Sequence, residues 1–280
     1  MQSPVRIAVV GAGAIAQLAH LPLLAKLRGA QLVALCDNDQ AKARALADRF
    51  DIRDAFSDID ELLAYDQVDA AIVATPNHLH EPHILQLLAS GVDVFCERPL
   101  SLTSKGVERI LAAAARAGRK VLVGNNHRFR SDVQALVSFL SGGELGRLEG
   151  VRSGSYHRRG TIEGWRLRRL ESGGGALFEQ GFPLIDLAMW LSDFPAPERV
   201  WAHVNRPRKG NVVEESGFVA LECANGVSFT FDISWAYVGP DERWWFETLH
   251  ERGSSRLAPL RVVKELNGRP VDVSPTGAAA

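Results

Sequence analysis

The segment Gly11-Ala12-Gly13-Ala14-Ile15-Ala16 constrains this chain more than any other. It follows a valine-rich apolar run, residues 5–10, and opens helical periodicity over residues 14–27, which Pro22 is expected to kink. Strand, glycine turn and helix in that order form the phosphate-binding start of a βαβ unit. Gly11 permits the tight turn, Gly13 lets the backbone approach a pyrophosphate, and the small Ala16 lets the helix pack closely on the strand. The helix N-terminus at Ala14 and Ile15 adds N–H groups and partial positive charge. Asp37 closes a second apolar run, residues 31–36, about 20 residues past the loop, where an acid receives ribose hydroxyls. A carboxylate there repels a 2′-phosphate. Asn38 and Asp39 follow, and no arginine is adjacent, so the residues favour NAD over NADP.

The same alternation continues. Residues 68–74, 92–96 and 120–123 read as strands, and residues 41–50, 82–90 and 103–117 as helices. Pro82 is expected at the first helical position, where its missing N–H has no intrahelical partner. Strands alternating with helices predict an α/β Rossmann domain with a parallel sheet over residues 1–123. From Leu148 onward strands dominate. Val227, Phe229, Phe231, Ile233 and Trp235 share one parity, while Ser228, Thr230, Asp232 and Ser234 share the other, as in a strand with one buried face. Weaker strand patterns cover residues 202–204, 215–222, 244–250 and 261–266, with one helical segment within residues 176–191. Residues 124–280 are therefore expected to form a mostly antiparallel α+β domain. Two domains suit a chain of 280 residues, because a single core stops growing at roughly that size. The tail after Ser274 reads as loosely held.

Bulk properties exclude several classes. A net charge of −1 gives no global field for nucleic acid or an anionic membrane. No apolar run is long enough to span a bilayer, and the N-terminus runs straight into an apolar strand with no basic region and no small-residue cleavage pattern, so no signal peptide is expected. Cys36, Cys96 and Cys223 are too few and too scattered for a disulfide framework, which fits a reducing, cytoplasmic setting. His78 and His80 have a zinc-like spacing with His83 nearby, but no third ligand or second shell is evident, so no metal is expected.

Three further segments carry a resemblance. They are Ala74-Thr75-Pro76-Asn77-His78-Leu79-His80, then Cys96-Glu97-Arg98-Pro99-Leu100, then Gly164-Trp165-Arg166 with Gly173-Gly174-Gly175 and Asp186. With the glycine loop, they resemble the glucose-fructose oxidoreductase, inositol dehydrogenase and MocA family, from Val5 to about Leu266. The resemblance implies a Rossmann domain followed by an open-faced antiparallel sheet used for homo-oligomer contacts. It implies hydride transfer between NAD and a carbon bearing a hydroxyl, on a small-molecule substrate such as a sugar or cyclitol. It also implies that Thr75, Pro76, Asn77, His80, Glu97 and Arg98 line the cofactor, with Asn126, Arg128, Trp165 and Arg166 nearby. Family members commonly continue with a further helical segment, so the second domain reads as short at its C-terminus.

The departures fall on the chemistry. The family's lysine is Arg98 here, and arginine keeps its proton near neutrality, so it holds an oxygen rather than acting as a base. The family's acid and histidine, at i and i+4, map to Glu179 and Pro183, and Pro183 has no titratable group. Proline disrupts a helix interior, so a helix is expected to start at or near Pro183 rather than run unbroken from Ala176. The catalytic candidates are Arg98, Glu179, Asp186 and His127, with Tyr156 and His157 as other replacement acids. Arg152, Arg158, Arg159, Arg166, Arg168 and Arg169 crowd one stretch, which suits either an anionic sugar or a solvated loop. Three readings stay open: an oxidoreductase with altered catalytic groups, an NAD-binding pseudoenzyme acting as sensor, regulator or assembly partner, and a lyase or epimerase using tightly held NAD.

Overall fold

The computed structural model describes residues 3–65, 67–160, 162–206 and 213–275. The chain divides into two compact units, Met1–Gly124 with Leu170–Ser172, and Asn125–Arg169 with Gly173–Ala280.

The first unit is built on six strands: β1 (Val5–Val10), β2 (Ala30–Cys36), β3 (Asp54–Phe56), β4 (Ala70–Val73), β5 (Asp93–Cys96) and β6 (Val121–Val123). Their order is β3-β2-β1-β4-β5-β6, and every pairing is parallel. Both faces are covered. Ala8 and Val10 enter one buried cluster with Val73, Leu87 and Ile110, while Val9 enters the other with Ala16, Leu35 and Leu46. Burial on both faces explains why these strands read as continuous apolar runs. The strand order reverses between β1 and β4, and a crevice at the carboxyl ends of the strands is where such sheets bind dinucleotides.

Two helices differ from expectation. The one expected over residues 82–90 runs Asn77–Ala89, with Pro82 inside it. An interior proline costs about 3 kcal/mol, but long-range bonds hold this first turn. The His80 ring nitrogens lie 2.6 Å from the Pro99 carbonyl oxygen and 2.8 Å from that of Thr75. The Asn77 side-chain amide donates to the Ser172 carbonyl at 2.9 Å. The helix expected over residues 14–27 contains a π-helical turn, Ala16–His20, that passes into a short α-helix, Leu21–Leu24, with Pro22 in its first turn.

The second unit holds β7 (Leu148–Arg158), β8 (Pro197–Asn205), β9 (Ser216–Cys223), β10 (Ser228–Tyr237), β11 (Arg243–His250), β12 (Gly253–Arg256), β13 (Arg261–Leu266) and β14 (Arg269–Asp272). They form one sheet in the order β14-β13-β12-β11-β7-β10-β9-β8. The β7–β10 pair is parallel and the others are antiparallel. Phe229, Phe231, Ile233 and Trp235 are buried with Leu184, Leu187 and Ala188 of the helix Phe182–Leu191 and with Val133 and Leu136 of the helix Ser131–Ser141. Each such side chain taken from water contributes about 1.5–3 kcal/mol. The other parity of the sheet carries Tyr156, Asp232, Arg243 and Trp245. There the Tyr156 hydroxyl donates to Asp232 Oδ2 at 2.6 Å, and the Arg243 guanidinium lies over the rings of Tyr156 and Trp245.

The α-helix expected to start at or near Pro183 starts at Phe182, but the chain before it is helical as well. A π-helical turn, Leu177–Gly181, passes directly into the α-helix Phe182–Leu191. The π turn lengthens the hydrogen-bonded loop by one residue and places Pro183 in the first turn of the α segment, where its missing donor is tolerated. Near the C-terminus, the Ser274 hydroxyl accepts from the Val262 N–H at 2.9 Å. Of the tail expected to be loose, residues 276–280 lie outside the described residues.

Candidate functional site

In the first unit the glycine loop leaves β1 at the switch point. Gly11 has φ +100°, and a Cβ there would stand 2.6 Å from the Ala74 carbonyl oxygen, so only glycine fits. A Cβ on Gly13 would meet nothing nearer than 4.0 Å. Its backbone is therefore open to a ligand, at the start of a helix whose first N–H groups lack intrahelical acceptors. Ala12 and Ala16 are fully buried beneath the loop, while Ile15 is partly exposed. The open backbone at Gly13, the helix N-terminus and the acid at the end of β2 fit a dinucleotide.

Asp37 is held by three donors. Its Oδ2 accepts from the Ala12 N–H at 2.7 Å, and its Oδ1 accepts from the Asp39 N–H at 3.0 Å and the Lys42 ammonium at 2.9 Å. Burial by itself raises the carboxyl pKa. The Lys42 bond, the two backbone N–H bonds and the Lys42 charge outweigh it, so the Asp37 pKa lies below the ordinary carboxylate value. Lys42 was not anticipated from the sequence. The signal was a cation in the first turn of the next helix, Gln40–Arg49, whose N-cap is Asp39.

The segments after β4 and β5 interlock. His80 is buried between the Pro99 and Thr75 carbonyls, and burial, its largest influence, lowers its pKa. A neutral ring donates to only one of these carbonyls at a time. Asn77 is likewise committed to the Ser172 carbonyl, and Thr75 Oγ1 lies 3.4 Å from His83 Nδ1. Glu97 Oε1 pairs with His20 Nε2 at 2.8 Å, and the His20 ring stands edge-on to Phe95. His20 was also missed; it is the polar residue between Ala19 and Leu21 in an apolar helical stretch. Arg98 follows Glu97 and precedes Pro99. Among the described residues, no group of three or more His, Cys, Asp and Glu is arranged to hold a metal.

In the second unit, Asn126, His127 and Arg128 lie on a single 3-10 turn, Asn126–Phe129. Arg128 grips Asp186 with two bonds, Nε to Oδ2 at 2.8 Å and Nη2 to Oδ1 at 2.5 Å, and the Asn125 amide donates to the same carboxylate at 3.0 Å. The Arg128 guanidinium also lies over the Trp190 and Phe194 rings. Asp186 is thus held by an arginine and an amide. His127 stands edge-on to Trp244, with ring centroids 5.9 Å apart.

Glu179 projects from the π-helical turn and faces Arg166, Nε to Oε1 at 3.5 Å. Arg166 in turn covers the Trp165 ring at 4.7 Å. The glycines before Glu179 are fixed by Glu214, a buried residue the sequence reading overlooked. Its Oε1 accepts from the Gly175 N–H at 2.8 Å and its carbonyl from the Ala176 N–H at 2.9 Å. A Cβ on Gly175 would stand 1.9 Å from that carbonyl oxygen, which is why a glycine run precedes the helix. Of the other acid candidates, burial first and Asp232 second push the Tyr156 pKa up to about 12, and His157 Nδ1 stands 3.8 Å from Glu242. Within the arginine run, Arg152 donates to the Val151 carbonyl, Arg158 faces Asp241 and Arg166 faces Glu179.

The comparisons agree with this geometry. The model of the oxidoreductase family with an NAD-binding Rossmann fold, GFO_IDH_MocA, matches residues 5–125, and the GFO/IDH/MocA C-terminal domain matches residues 133–255. D-Glucoside 3-dehydrogenase of Escherichia coli is 32% identical over 203 residues, 72% of this chain. That match spans 58% of the relative, less than two thirds of its length. Inositol 2-dehydrogenase of Acidothermus cellulolyticus is 30% identical over 273 residues, covering 95% of this chain and 78% of the relative. Among solved structures, GenD2 from gentamicin A biosynthesis in complex with NAD aligns with a TM-score of 0.85 at 28% identity, covering 98% of this chain and 73% of that one. The chain belongs to the GFO/IDH/MocA oxidoreductase family, and its first unit is that family's NAD-binding Rossmann domain.

Proposed function

We propose that this chain is an NAD-dependent oxidoreductase that acts on a hydroxyl of a sugar, cyclitol or similar polyol, with catalytic groups altered from the family pattern. NAD, when bound, supplies a two-electron hydride acceptor. The chain must then supply an acceptor for the hydroxyl proton and a hold on the oxygen. The observation that carries the reading is Glu179, a half-buried carboxylate on a π-helical turn, a feature frequent at functional sites. Glu179 is the proposed proton acceptor, and Arg98 the proposed donor that stabilises developing negative charge on the substrate oxygen. His127 is the secondary candidate for proton transfer. Asp186, locked by Arg128, is proposed to position the turn that carries Asn126 and His127.

Three arginines of the 152–169 run already engage protein acceptors, which supports a neutral polyol over an anionic sugar. A homo-oligomer formed through the open face of the eight-stranded sheet is part of the proposal. Tyr156, Trp245 and Arg243 on that face are of the types enriched at interfaces. A cytoplasmic setting is supported by three free, buried cysteines, and among the described residues no helix is long and apolar enough to cross a membrane.

The test is absorbance at the NADH band with a panel of sugars and cyclitols. Turnover on one of them is expected, and Glu179→Gln lowers kcat by about 10²–10⁴-fold, the usual worth of general acid-base help, with NADH affinity unchanged. The rival, an NAD-binding regulator, is favoured by Arg98 and Pro183 in place of lysine and histidine. NADH binding without turnover on any panel member, followed by turnover in Arg98→Lys/Pro183→His, would decide for it.

A further inference from the structure

Asp37 is the acid expected to receive the ribose hydroxyls, yet most of its capacity is already taken. An ionised carboxylate offers about four acceptor sites. The Asp39 N–H and the Lys42 ammonium occupy Oδ1, and the Ala12 N–H occupies one side of Oδ2. About one acceptor site on Oδ2 remains for a ligand. Lys42 fixes which one, because its 2.9 Å bond turns Oδ1 toward the helix Gln40–Arg49. The Lys42 side chain is 37% exposed and the Asp37 side chain 10%, so the ammonium reaches solvent beside a carboxylate that is largely enclosed. A group that approaches Asp37 therefore also approaches a cation with two donors to spare.

We propose that Lys42 is a specificity residue of the dinucleotide site. It orients the Asp37 carboxylate toward the ribose 2′-hydroxyl, and it leaves a cation in place so that exclusion of a 2′-phosphate rests on Asp37 alone. The sequence carried no arginine next to Asp37, and the cation that could pair with a phosphate arrives instead from one turn into the following helix. The inference rests on NAD binding by the first unit and not on the proposed catalysis. Its test reads binding, so absence of turnover leaves it untouched.

The experiment is fluorescence titration of the full chain with NADH and NADPH, in the wild type, Lys42→Met, Asp37→Ser and the double variant. Removing the carboxylate is expected to tighten NADPH by about tenfold or more, the scale of a charge-assisted bond gained in place of a repulsion. Removing Lys42 in the same background is expected to abolish that gain. If the double variant keeps it, the proposal is overturned. Should Asp37→Ser fail to fold, the NADH and NADPH Kd values, each read by itself, give a second reading in Lys42→Met and Lys42→Arg. Both values raised by about tenfold in Lys42→Met, with a smaller rise in Lys42→Arg, support the proposal. Both values unchanged from the wild type in Lys42→Met overturn it.

Discussion

The helix after the glycine loop and the helix that carries Glu179 are built alike. In each, a π-helical turn of five residues, Ala16–His20 or Leu177–Gly181, precedes an α segment with proline in its first turn, Pro22 or Pro183. They differ at the start. The first begins in a glycine loop where a Cβ on Gly13 would meet nothing nearer than 4.0 Å, while the second begins against Glu214, which takes the Gly175 and Ala176 N–H groups. A helix N-terminus left open is an anion site. The same terminus filled by a buried carboxylate of its own unit becomes a fixed joint. The local device is therefore neutral with respect to function, and what occupies the N–H groups decides the outcome.

The largest expected effect comes from closing the open end. Gly11→Ala places a Cβ 2.6 Å from the Ala74 carbonyl at a φ of +100°. It is expected to weaken NADH binding by at least 100-fold in a titration and to destabilise the first unit by about 1–3 kcal/mol. Unchanged NADH affinity would break the comparison at its first term. The complementary change opens the closed end. Glu214→Ala strips the acceptor from the buried Gly175 N–H and is expected to cost about 1–3 kcal/mol in denaturant unfolding, with NADH affinity preserved. An equal loss of NADH binding would mean that Glu214 is not confined to the joint.

The contrast also shows what the sequence made legible. Gly11, Gly13 and Asp37 were readable because each is demanded by local backbone or by a fixed place in a βαβ unit, and the parity of Val227 to Trp235 returned as the buried face of β10. His20 and Glu214 were not, since each acts through a partner set by tertiary packing, and Lys42 was passed over although its partner Asp37 lies just before the same helix. Glu214 lies 39 residues from Gly175, and His20 lies 77 from Glu97. Pro82 misled for a related reason. A proline reads as a helix start, but Asn77 and His80, within the turn before Pro82, tie that turn to the Ser172, Pro99 and Thr75 carbonyls, whereas Pro183 does stand in the first turn of an α-helix, with a π turn leading into it.

A smaller effect should appear with acid. The Asp37 pKa is depressed in the fold, so its contribution is complete above the ordinary carboxylate value of about 3.9 and is lost as pH falls below that through the folded value. Asp37→Asn is therefore expected to flatten the fall in Tm between about pH 5 and pH 3 relative to wild type. An identical fall in both proteins would mean that the Lys42 and backbone bonds give the carboxylate no net preference for its charged form.

The smallest effect tests the likeness itself. If Pro22 and Pro183 both occupy first-turn positions that need no N–H, each is compatible with its backbone and stabilises chiefly by restricting the unfolded chain. Pro22→Ala and Pro183→Ala should then each cost about 0.4–1 kcal/mol, with helical content by circular dichroism unchanged. A proline that instead broke a needed hydrogen bond would stabilise the protein when removed, by up to about 3 kcal/mol. A gain for Pro183→Ala beside a loss for Pro22→Ala would show that only the helix after the glycine loop is free of strain. The turn bearing Glu179 would then be held under tension by Glu214, and Pro183→Ala combined with Glu214→Ala should recover part of the stability that Glu214→Ala loses alone.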